Sequence, residues 1–261
     1  MPAHEELTTA GLDFVQDGPV ATITLDRPDV RNAQTPLMWE TLAALGSDLG
    51  DEVRIVIVKG NGHSFSAGLD RAMLDPKAGP DSVIGLLQRT DEEMSAQIGH
   101  WQEAFTFLRD PRFVSIAQVH GFAIGAGFQL ALSCDLRVVA DDAIFCMKES
   151  ALGLVPDLTG TKPLVDAVGY ARALEICATA RNISGDEAGR LGLATTVVAA
   201  DQLDAATAEL VRNLTAPLPG AVRETKAILQ QAAARDLDSQ RRVEREAQVR
   251  RFRELAELMK G

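Results

Sequence analysis

The chain has 261 residues, of which 46% are hydrophobic, so it is long enough for one large core or for a main domain with a smaller appendage. Its 37 acidic and 26 basic side chains give a net charge of −11, which repels a phosphate backbone and argues against nucleic acid as a partner. No stretch approaches the roughly 18 unbroken apolar residues that span a bilayer, and residues 1–9 lack the layout of a secretion signal, so we expect a cytoplasmic protein without a membrane partner.

Short β-branched runs alternate with longer stretches of helical period, a pattern that predicts an α/β fold. The predicted elements, in chain order, are strands at 20–25 and 53–58 with a helix at 35–49 between them, a helix at 94–108, and strands at 113–119, 136–140 and 143–146. Residues 74–92 combine prolines, glycines and charges, which indicates a mobile surface loop.

Helical signals dominate from Thr161 onward, and they include a capping-box pattern at Ser184 and Glu187. A short apolar run at 195–198 interrupts them. The arginine-rich stretch 241–253 predicts a solvated helix with internal ion pairs, and a role in holding a phosphate is the alternative.

Cysteines and histidines offer little metal or disulfide chemistry. Cys134, Cys146 and Cys177 form no C-x-x-C pair, and three cysteines cannot all pair within one chain. None of the four histidines lies four residues from another, so no two-histidine site on a helix is predicted. We therefore expect reduced, buried thiols and no bound metal.

Two segments, 66–70 and 125–129, share one layout in which small residues end a strand and a helical pattern begins at once. Small side chains let another group approach the backbone closely, and the start of a helix leaves amide hydrogens unpaired. Two such donors converging on one point would form an oxyanion hole. Tight packing of a strand against a helix is the alternative for the second segment.

Two other functions of these glycine-rich turns are excluded by their spacing. Leu130 stands where a dinucleotide-binding G-x-G-x-x-G motif needs glycine, and no phosphate-binding G-x-x-x-x-G-K-[ST] loop occurs. The chain also lacks the G-x-S-x-G elbow of serine hydrolases, so Ser66 is interpreted as a turn residue and not as a nucleophile.

The order and spacing of several motifs resemble the enoyl-CoA hydratase/isomerase (crotonase) superfamily, and the resemblance extends from end to end. Any one of these motifs would be a weak signal, but their joint order over about 130 residues is specific. The matching stretches are ITLDRP at 23–28, RNA at 31–33, FSAGLD at 65–70, HGFAIGAG at 120–127, CDLR at 134–137 and GLVP at 153–156.

The resemblance implies an α/β fold of the crotonase type, in which a spiral of β-β-α turns at 1–195 binds acyl-CoA and a helical C-terminal region at 196–261 covers the site. It also implies assembly into homotrimers or hexamers. No cofactor is expected, because coenzyme A is part of the substrate.

By position, Ala67 and Ala126 resemble the two residues whose N–H groups hold the thioester oxygen in this family, and Gly125 lies beside the second of them. Backbone near the first loop and turn binds the adenine end of coenzyme A in the family. This points to further substrate contacts at Arg31, Ala33, Leu69 and Asp70. A solvated loop charge is the alternative interpretation of Arg31.

Three side chains are candidates for moving protons: Gln129, Glu149 and Asp157. Hydratases of the family usually carry glutamate at the first two positions, but glutamine cannot exchange a proton in catalysis, although it can hold a water. Glu149 is therefore the predicted general base, and its alternative is an exposed turn residue. Asp157 stands where hydratases often have glycine and where dienoyl-CoA isomerases have an acidic proton-transfer partner; its alternative is a turn or cap residue.

Several reactions remain open at this stage. Glu149 and Asp157 could isomerise a double bond from opposite sides of an enolate, or either could activate water for hydration. Dehalogenation by Asp157 is disfavoured, because residues 145–155 contain no tryptophan of the kind that dehalogenases of the family carry there. An acyl-CoA thioester hydrolase and a non-catalytic acyl-CoA-binding protein are the alternatives from other functional classes.

Overall fold

A six-stranded sheet lies at the centre of the computed structural model, which describes residues 1–80 and 82–260. Its strand order is β1-β2-β3-β4-β6-β9, and every neighbouring pair is parallel except the antiparallel pair β1–β2. These strands are Leu12–Asp17 (β1), Val20–Leu25 (β2), Ile55–Gly60 (β3), Val114–Val119 (β4), Leu136–Ala140 (β6) and Thr196–Val198 (β9). A second sheet has the order β5-β7-β8 and contains Phe122–Ile124 (β5), Ile144–Cys146 (β7) and Ile183–Ser184 (β8).

Nine α-helices connect and cover the sheets in the part of the chain that is described. They are His4–Ala10 (α1), Pro36–Asp48 (α2), Asp91–Thr106 (α3), Ala126–Ser133 (α4), Thr161–Thr179 (α5), Gly185–Leu191 (α6), Leu203–Thr215 (α7), Pro219–Gln230 (α8) and Leu237–Leu258 (α9). A kink at Gly169 divides α5, where φ is 75°. No helix within 1–80 and 82–260 combines the length and the apolar character that crossing a membrane requires.

The chain winds in repeated β-β-α turns. Strand β4 lies in the first sheet and β5 in the second, and helix α4 follows; β6, β7 and α5 repeat the same order. All six residues of β4 are buried, because helices cover both faces of the sheet around this strand. In such a turn, the end of a strand lies close to the start of a helix. The candidate residues at 66–70 and 125–129 lie at junctions of this kind, before the 3-10 helix Arg71–Leu74 and at the start of α4.

Both faces of the central sheet are covered by apolar side chains. One large cluster joins α2, α3 and α4 to the sheet through residues such as Leu42, Phe105 and Phe128. On the other face, Leu203 and Leu210 of α7 pack against the buried strand residues. Helix α7 is thus part of the main core and not a separate lobe.

The predicted strands and helices occur in the predicted order, with differences at their ends, but α1, β1, β5 and β8 were not predicted. Strand β9 pairs with β6, so residues 196–198 belong to the central sheet and not to the helical region that was predicted to begin at 196. The capping serine at Ser184 is confirmed, because its hydroxyl accepts a hydrogen bond from the Glu187 N–H. One short 3-10 helix, Ile84–Gln88, lies within the stretch 74–92, and another, Arg71–Leu74, ends at its first residue.

Lys226 fastens the C-terminal helices to the sheet. Its side chain is 8% exposed, and its ammonium group lies 2.6 Å from the Asp135 carboxylate and donates to the carbonyls of Asp110 and Phe113 at 2.6 and 2.7 Å. Burial lowers the pKa of Lys226, and the Asp135 charge opposes that shift. Asp135 lies just before β6 and also accepts hydrogen bonds from Ser115 of β4, so this ion pair joins α8 to two interior strands of the central sheet.

We expect Lys226→Ala to destabilise the protein by about 3–5 kcal/mol, because it leaves the buried Asp135 carboxylate without its counter-ion. Urea denaturation followed by circular dichroism measures this loss. Lys162→Ala is the matched control, since its side chain is 76% exposed, and its effect should stay within about 0.5 kcal/mol. Equal stabilities of the two variants would contradict the proposed role of the ion pair.

Candidate active site

The two glycine-rich turns lie directly against each other. Ser66 forms a parallel bridge with Ala123, and the Ile124 N–H donates to the Ser66 carbonyl at 3.0 Å. Gly68 has φ of 85°, and a Cβ atom on it would lie 2.4 Å from the Ile124 oxygen and 3.4 Å from the Ala126 nitrogen. Only glycine therefore permits this backbone approach, which brings the 66–70 segment next to the start of α4.

Ser66 has a structural role at this junction. Its hydroxyl donates to the Asn32 carbonyl at 2.8 Å and accepts from the Gln34 side chain at 3.1 Å, and the residue is fully buried. Its oxygen is thus committed to holding the loop. This geometry agrees with the interpretation of Ser66 as a turn residue.

The prediction that Ala67 supplies one free amide is wrong. Its N–H donates to the Arg31 carbonyl at 2.8 Å, because Arg31 adopts a left-handed conformation with φ of 53° and its carbonyl lies over the turn. The neighbouring groups, the Gly68 carbonyl and the Asp70 N–H, both pair with Gln34, at 2.7 and 2.8 Å.

Two other amides remain without an acceptor in the described residues. The Leu69 N–H lies between the two groups that pair with Gln34. Because backbone N–H groups point to alternate sides along an extended segment, the Leu69 N–H points away from Gln34. Ala126 is the first residue of α4, where amide hydrogens have no partner within the helix. The candidate donors are therefore the amides of Leu69 and Ala126.

Glu149 lies beside the second of these donors. It begins a 3-10 helix, Glu149–Leu152, directly after β7, and the residue is 8% exposed. A Cβ atom on Gly125 would be 3.4 Å from its Oε1 and 3.9 Å from its Oε2, so the carboxylate borders the residue that precedes Ala126. Glu149 is a buried side chain and not the exposed turn residue of the alternative interpretation.

The two oxygens of Glu149 differ in their surroundings. Oε1 accepts a hydrogen bond of 2.7 Å from Gln129 Nε2, whereas Oε2 is buried and has no hydrogen-bond partner within the described part of the chain. Burial raises the pKa of Glu149, while hydrogen bonds from backbone and Gln129 oppose that shift and the charge of Asp157 adds to it. A buried carboxylate with one unpartnered oxygen has the character of a general base.

Asp157 lies at the rim of the same site. It is exposed on the single chain, although desolvation by the surrounding protein raises its pKa. Its carbonyl accepts from Gln102 of α3 at 2.6 Å, and the next amide, that of Leu158, donates to Gln129 Oε1 at 2.9 Å. The loop that carries Asp157 is thus fastened to α3 and α4, and its charge acts on Glu149.

The residues expected to contact the adenine end of coenzyme A surround the outer side of the first turn. Arg31 is exposed, with its guanidinium 5.4 Å from the centre of the Phe122 ring. Arg27, which sequence reasoning did not single out although it lies in the first matched motif, donates to the Ala33 carbonyl at 2.6 Å and pairs with Asp70 at 3.0 Å. The Asp70 carboxylate is therefore engaged within the protein, and so are its N–H, which donates to Gln34, and its carbonyl, which accepts from the Met73 N–H at 2.9 Å.

Taken together, the structure brings Gly125, Ala126, Gln129 and Glu149 into one cluster, with Leu69 and the Asp157 loop beside it. Two amide donors near one carboxylate can stabilise a developing oxyanion and move a proton next to it. Within residues 1–80 and 82–260, no group of three His, Cys, Asp or Glu side chains is arranged to hold a metal ion.

Comparison with known proteins relates this chain to one family over nearly its whole length. The sequence profile described as Enoyl-CoA hydratase/isomerase matches residues 16–260. A peroxisomal Delta(3,5)-Delta(2,4)-dienoyl-CoA isomerase from Arabidopsis thaliana is 34% identical over 82% of this chain and 78% of that protein. A short-chain-enoyl-CoA hydratase from Clostridium acetobutylicum is 32% identical over 89% of this chain and 85% of that protein.

Solved structures show the same relationship in three dimensions. A protein from Thermobifida fusca YX that is proposed to be an enoyl-CoA hydratase, crystallised with acetoacetyl-CoA, is 51% identical, covers 97% of this chain and 99% of its own, and has a TM-score of 0.93. A second structure of a Thermobifida fusca protein with this description, in complex with CoA, is 50% identical, covers 98% of both chains, and also has a TM-score of 0.93.

We expect Glu149→Gln to raise stability near neutral pH. The pKa of Glu149 in the folded protein lies above its ordinary value of 4.5, so its contribution to stability is fully present below that value and is lost as the pH rises through the folded pKa. The variant lacks this loss, and its advantage in melting temperature should shrink as the pH falls from 7 towards 4.5. Glu209→Gln, at an exposed position of α7, is the control without such a trend.

Proposed function

Because this chain belongs to the enoyl-CoA hydratase/isomerase family, we propose that it isomerises a double bond in an unsaturated acyl-CoA thioester through an enolate. The single observation that carries this proposal is the buried Glu149 carboxylate beside the Ala126 amide, with an amide side chain, Gln129, in the place of a second carboxylate. This arrangement supplies an oxyanion donor and one base, and it leaves Asp157 as the second proton-transfer group.

An acyl-CoA substrate is supported by the ligands of similar proteins. The Thermobifida fusca structures contain acetoacetyl-CoA and CoA, and they superpose on this chain over nearly its whole length. We propose that the adenine end lies along the backbone of Arg31, Ala33, Leu69 and Asp70, outside the first turn. The thioester carbonyl would then lie between the two turns.

The amides of Leu69 and Ala126 are the proposed oxyanion hole. Both lack an acceptor within the described residues, and both lie where the two turns meet. Each such donor is typically worth about 3–4 kcal/mol in the transition state, because charge develops on the thioester oxygen when the enolate forms.

The proposed reaction conserves atoms and charge. Glu149 Oε2 takes a proton from C2 of a 3-enoyl thioester, and the electron pair delocalises onto the thioester oxygen. Protonated Asp157 returns a proton at C4, and the double bond then lies between C2 and C3. Proton exchange with water resets both carboxyl groups. Desolvation raises the pKa of Asp157, which favours its protonated form as the acid.

Hydration is the second candidate, and the Clostridium acetobutylicum relative supports it at the level of the family. Glu149 alone would activate the water in that reaction. Gln129 is less suited to place it, because its Oε1 already accepts from the amides of Leu158 and Gly160 and one of its N–H groups donates to Glu149. The geometry therefore favours isomerisation.

A homotrimer or hexamer is the proposed assembly, and the last helix gives it physical support. Helix α9 packs mainly on α8, and Ala247 is its buried residue in the single chain. Phe252 and Leu255 on this helix are exposed at 63% and 39%, and Met259 directly after it is exposed at 87%. Apolar side chains at such spacing line one face of a helix, and burial against a neighbouring subunit would remove them from water.

Ala126→Pro tests the oxyanion hole without removing a side chain. Proline is favoured at the first position of a helix, and it deletes the N–H that we assign to the thioester oxygen. We expect the turnover number to fall by about 10²–10³-fold, with the folded state verified by circular dichroism. Leu237→Pro, at the first position of α9, is the matched control and should keep full turnover; unchanged turnover in Ala126→Pro would rule out this donor.

Separate incubation with a 3-enoyl-CoA and a trans-2-enoyl-CoA tests the reaction itself. Isomerisation converts the first into a conjugated product of unchanged mass, whereas hydration adds the mass of one water to the second. We expect Glu149→Gln to reduce isomerisation by about 10²–10⁴-fold, because the base is lost, while Glu209→Gln does not. Absorbance and mass spectrometry measure both reactions.

Asp157→Asn tests the role of Asp157, and an assay for free thiol tests whether the protein hydrolyses the thioester. Asp157→Asn should impair isomerisation more than hydration, and equal losses would assign Asp157 to the turn instead. Release of free coenzyme A, detected with a thiol reagent, would identify a thioester hydrolase. Tight binding of acyl-CoA without any product would identify a non-catalytic binding protein.

A further inference from the structure

We propose that Gln129 is a positioning residue that holds one oxygen of Glu149, leaves the other as the sole reacting atom, and thereby determines that the site isomerises and does not hydrate. This inference rests on the proposed function. The inference extends the proposed function, because it assigns the choice between isomerisation and hydration to one uncharged side chain.

The orientation of the Gln129 amide is determined by the backbone around it. Its Oε1 accepts hydrogen bonds from the N–H groups of Leu158 and Gly160, at 2.9 and 3.2 Å. These donors flank Thr159, which has φ of 68°, an unusual conformation for a β-branched residue. A flipped amide would direct its N–H groups at two other N–H donors, so Nε2 must face Glu149.

This orientation decides which atom of Glu149 can react. Nε2 donates to Oε1 at 2.7 Å and thereby occupies the oxygen that faces α4. Oε2 has no partner in the described residues, and it is the oxygen farther from Gly125, since a Cβ atom there would lie 3.9 Å from Oε2 and 3.4 Å from Oε1. The neutral donor thus supports an ionised Glu149 without bringing a second negative charge.

A glutamate at position 129 would fit the same space but reverse that effect. Gln129 is fully buried, and a Cβ atom on Gly160 would lie 2.6 Å from its Cγ, so the loop packs closely on this side chain. The carboxylate could keep one oxygen between the two loop amides. Its other oxygen would face Glu149 Oε1 as acceptor to acceptor, and the pair would have to share a proton.

Four other titratable groups lie around Glu149. Asp157 faces it from the loop, Cys146 from β7 and Cys177 from α5, and Lys148 precedes it in the chain. Burial raises the pKa of both thiols, so they stay neutral near pH 7. Asp157 is the carboxyl neighbour that could produce a similar effect when it is ionised, and Asp157→Asn is therefore combined with the variants of Gln129.

The test compares Gln129→Glu and Gln129→Met with the wild-type protein. For Gln129→Glu, we expect the acidic limb of the pH profile of kcat/KM for isomerisation to move up by about one pH unit or more, and hydration of trans-2-enoyl-CoA to increase. Gln129→Met has similar volume but neither donor nor acceptor. Because it removes the hydrogen bond that supports the ionised Glu149, its acidic limb should also move up, but hydration should not increase. Both outcomes should persist in the Asp157→Asn background.

A purely structural role of Gln129 would produce a different result. Both variants would then change KM, kcat or melting temperature while the acidic limb stayed in place, and that result would overturn the inference. The pH dependence of the melting temperature of Gln129→Glu measures the shared proton without any assay of activity. Absence of isomerisation by the wild-type protein would reject the proposed function, whereas an unmoved limb in an active Gln129→Glu variant would reject this inference alone.

Discussion

The site depends on the close backbone contact between the turn at Gly68 and the start of α4. No side chain fits between them, because a Cβ atom on Gly68 would collide with the Ile124 carbonyl. The contact places an amide from each turn at one location, and the strands that end there belong to the two sheets and hold the turns in place. Preorganised amides of this kind need no rearrangement when charge develops, which is why backbone can perform this function with unremarkable side chains.

The burial of Glu149 is the energetic counterpart of this arrangement. A carboxylate with one unpartnered oxygen inside the protein costs stability, and the shift of its pKa records that cost. Gln129 offsets part of it through one hydrogen bond, and the loop amides of Leu158 and Gly160 hold Gln129 in turn. Backbone amides thus hold the Gln129 side chain, and Gln129 in turn holds the Glu149 carboxylate.

Much of this fold could be predicted from periodicity and from family motifs. The strands at 20–25 and 136–140 match their predicted bounds, and the crotonase-type fold is confirmed by solved relatives. Strand β1 was not predicted because half of it is exposed and polar, and β8 was missed because two residues give no periodic signal. Residues 196–198 were assigned to the wrong region, since three residues reveal nothing about which strand they pair with.

The site was harder to derive, for a geometric reason. Sequence locates a glycine-rich turn but not the direction of each N–H within it, so Ala67 was chosen although the left-handed Arg31 places a carbonyl against that amide. Gln129 and Glu149 are twenty residues apart, and no local sequence pattern indicates that they are in contact. They were assigned to one site only because both stand at positions where hydratases of the family carry glutamate.

Lys226 has a consequence for how the chain tolerates change along its length. Because its ammonium group compensates the charge of Asp135 beside the interior strands β4 and β6, α8 is a structural requirement of the central fold and not an accessory to it. Helix α9 has no comparable anchor, and its contacts are mainly with α8. A change in α8 that removes this charge would therefore act directly on the sheet, whereas a change in α9 acts on the sheet mainly through α8.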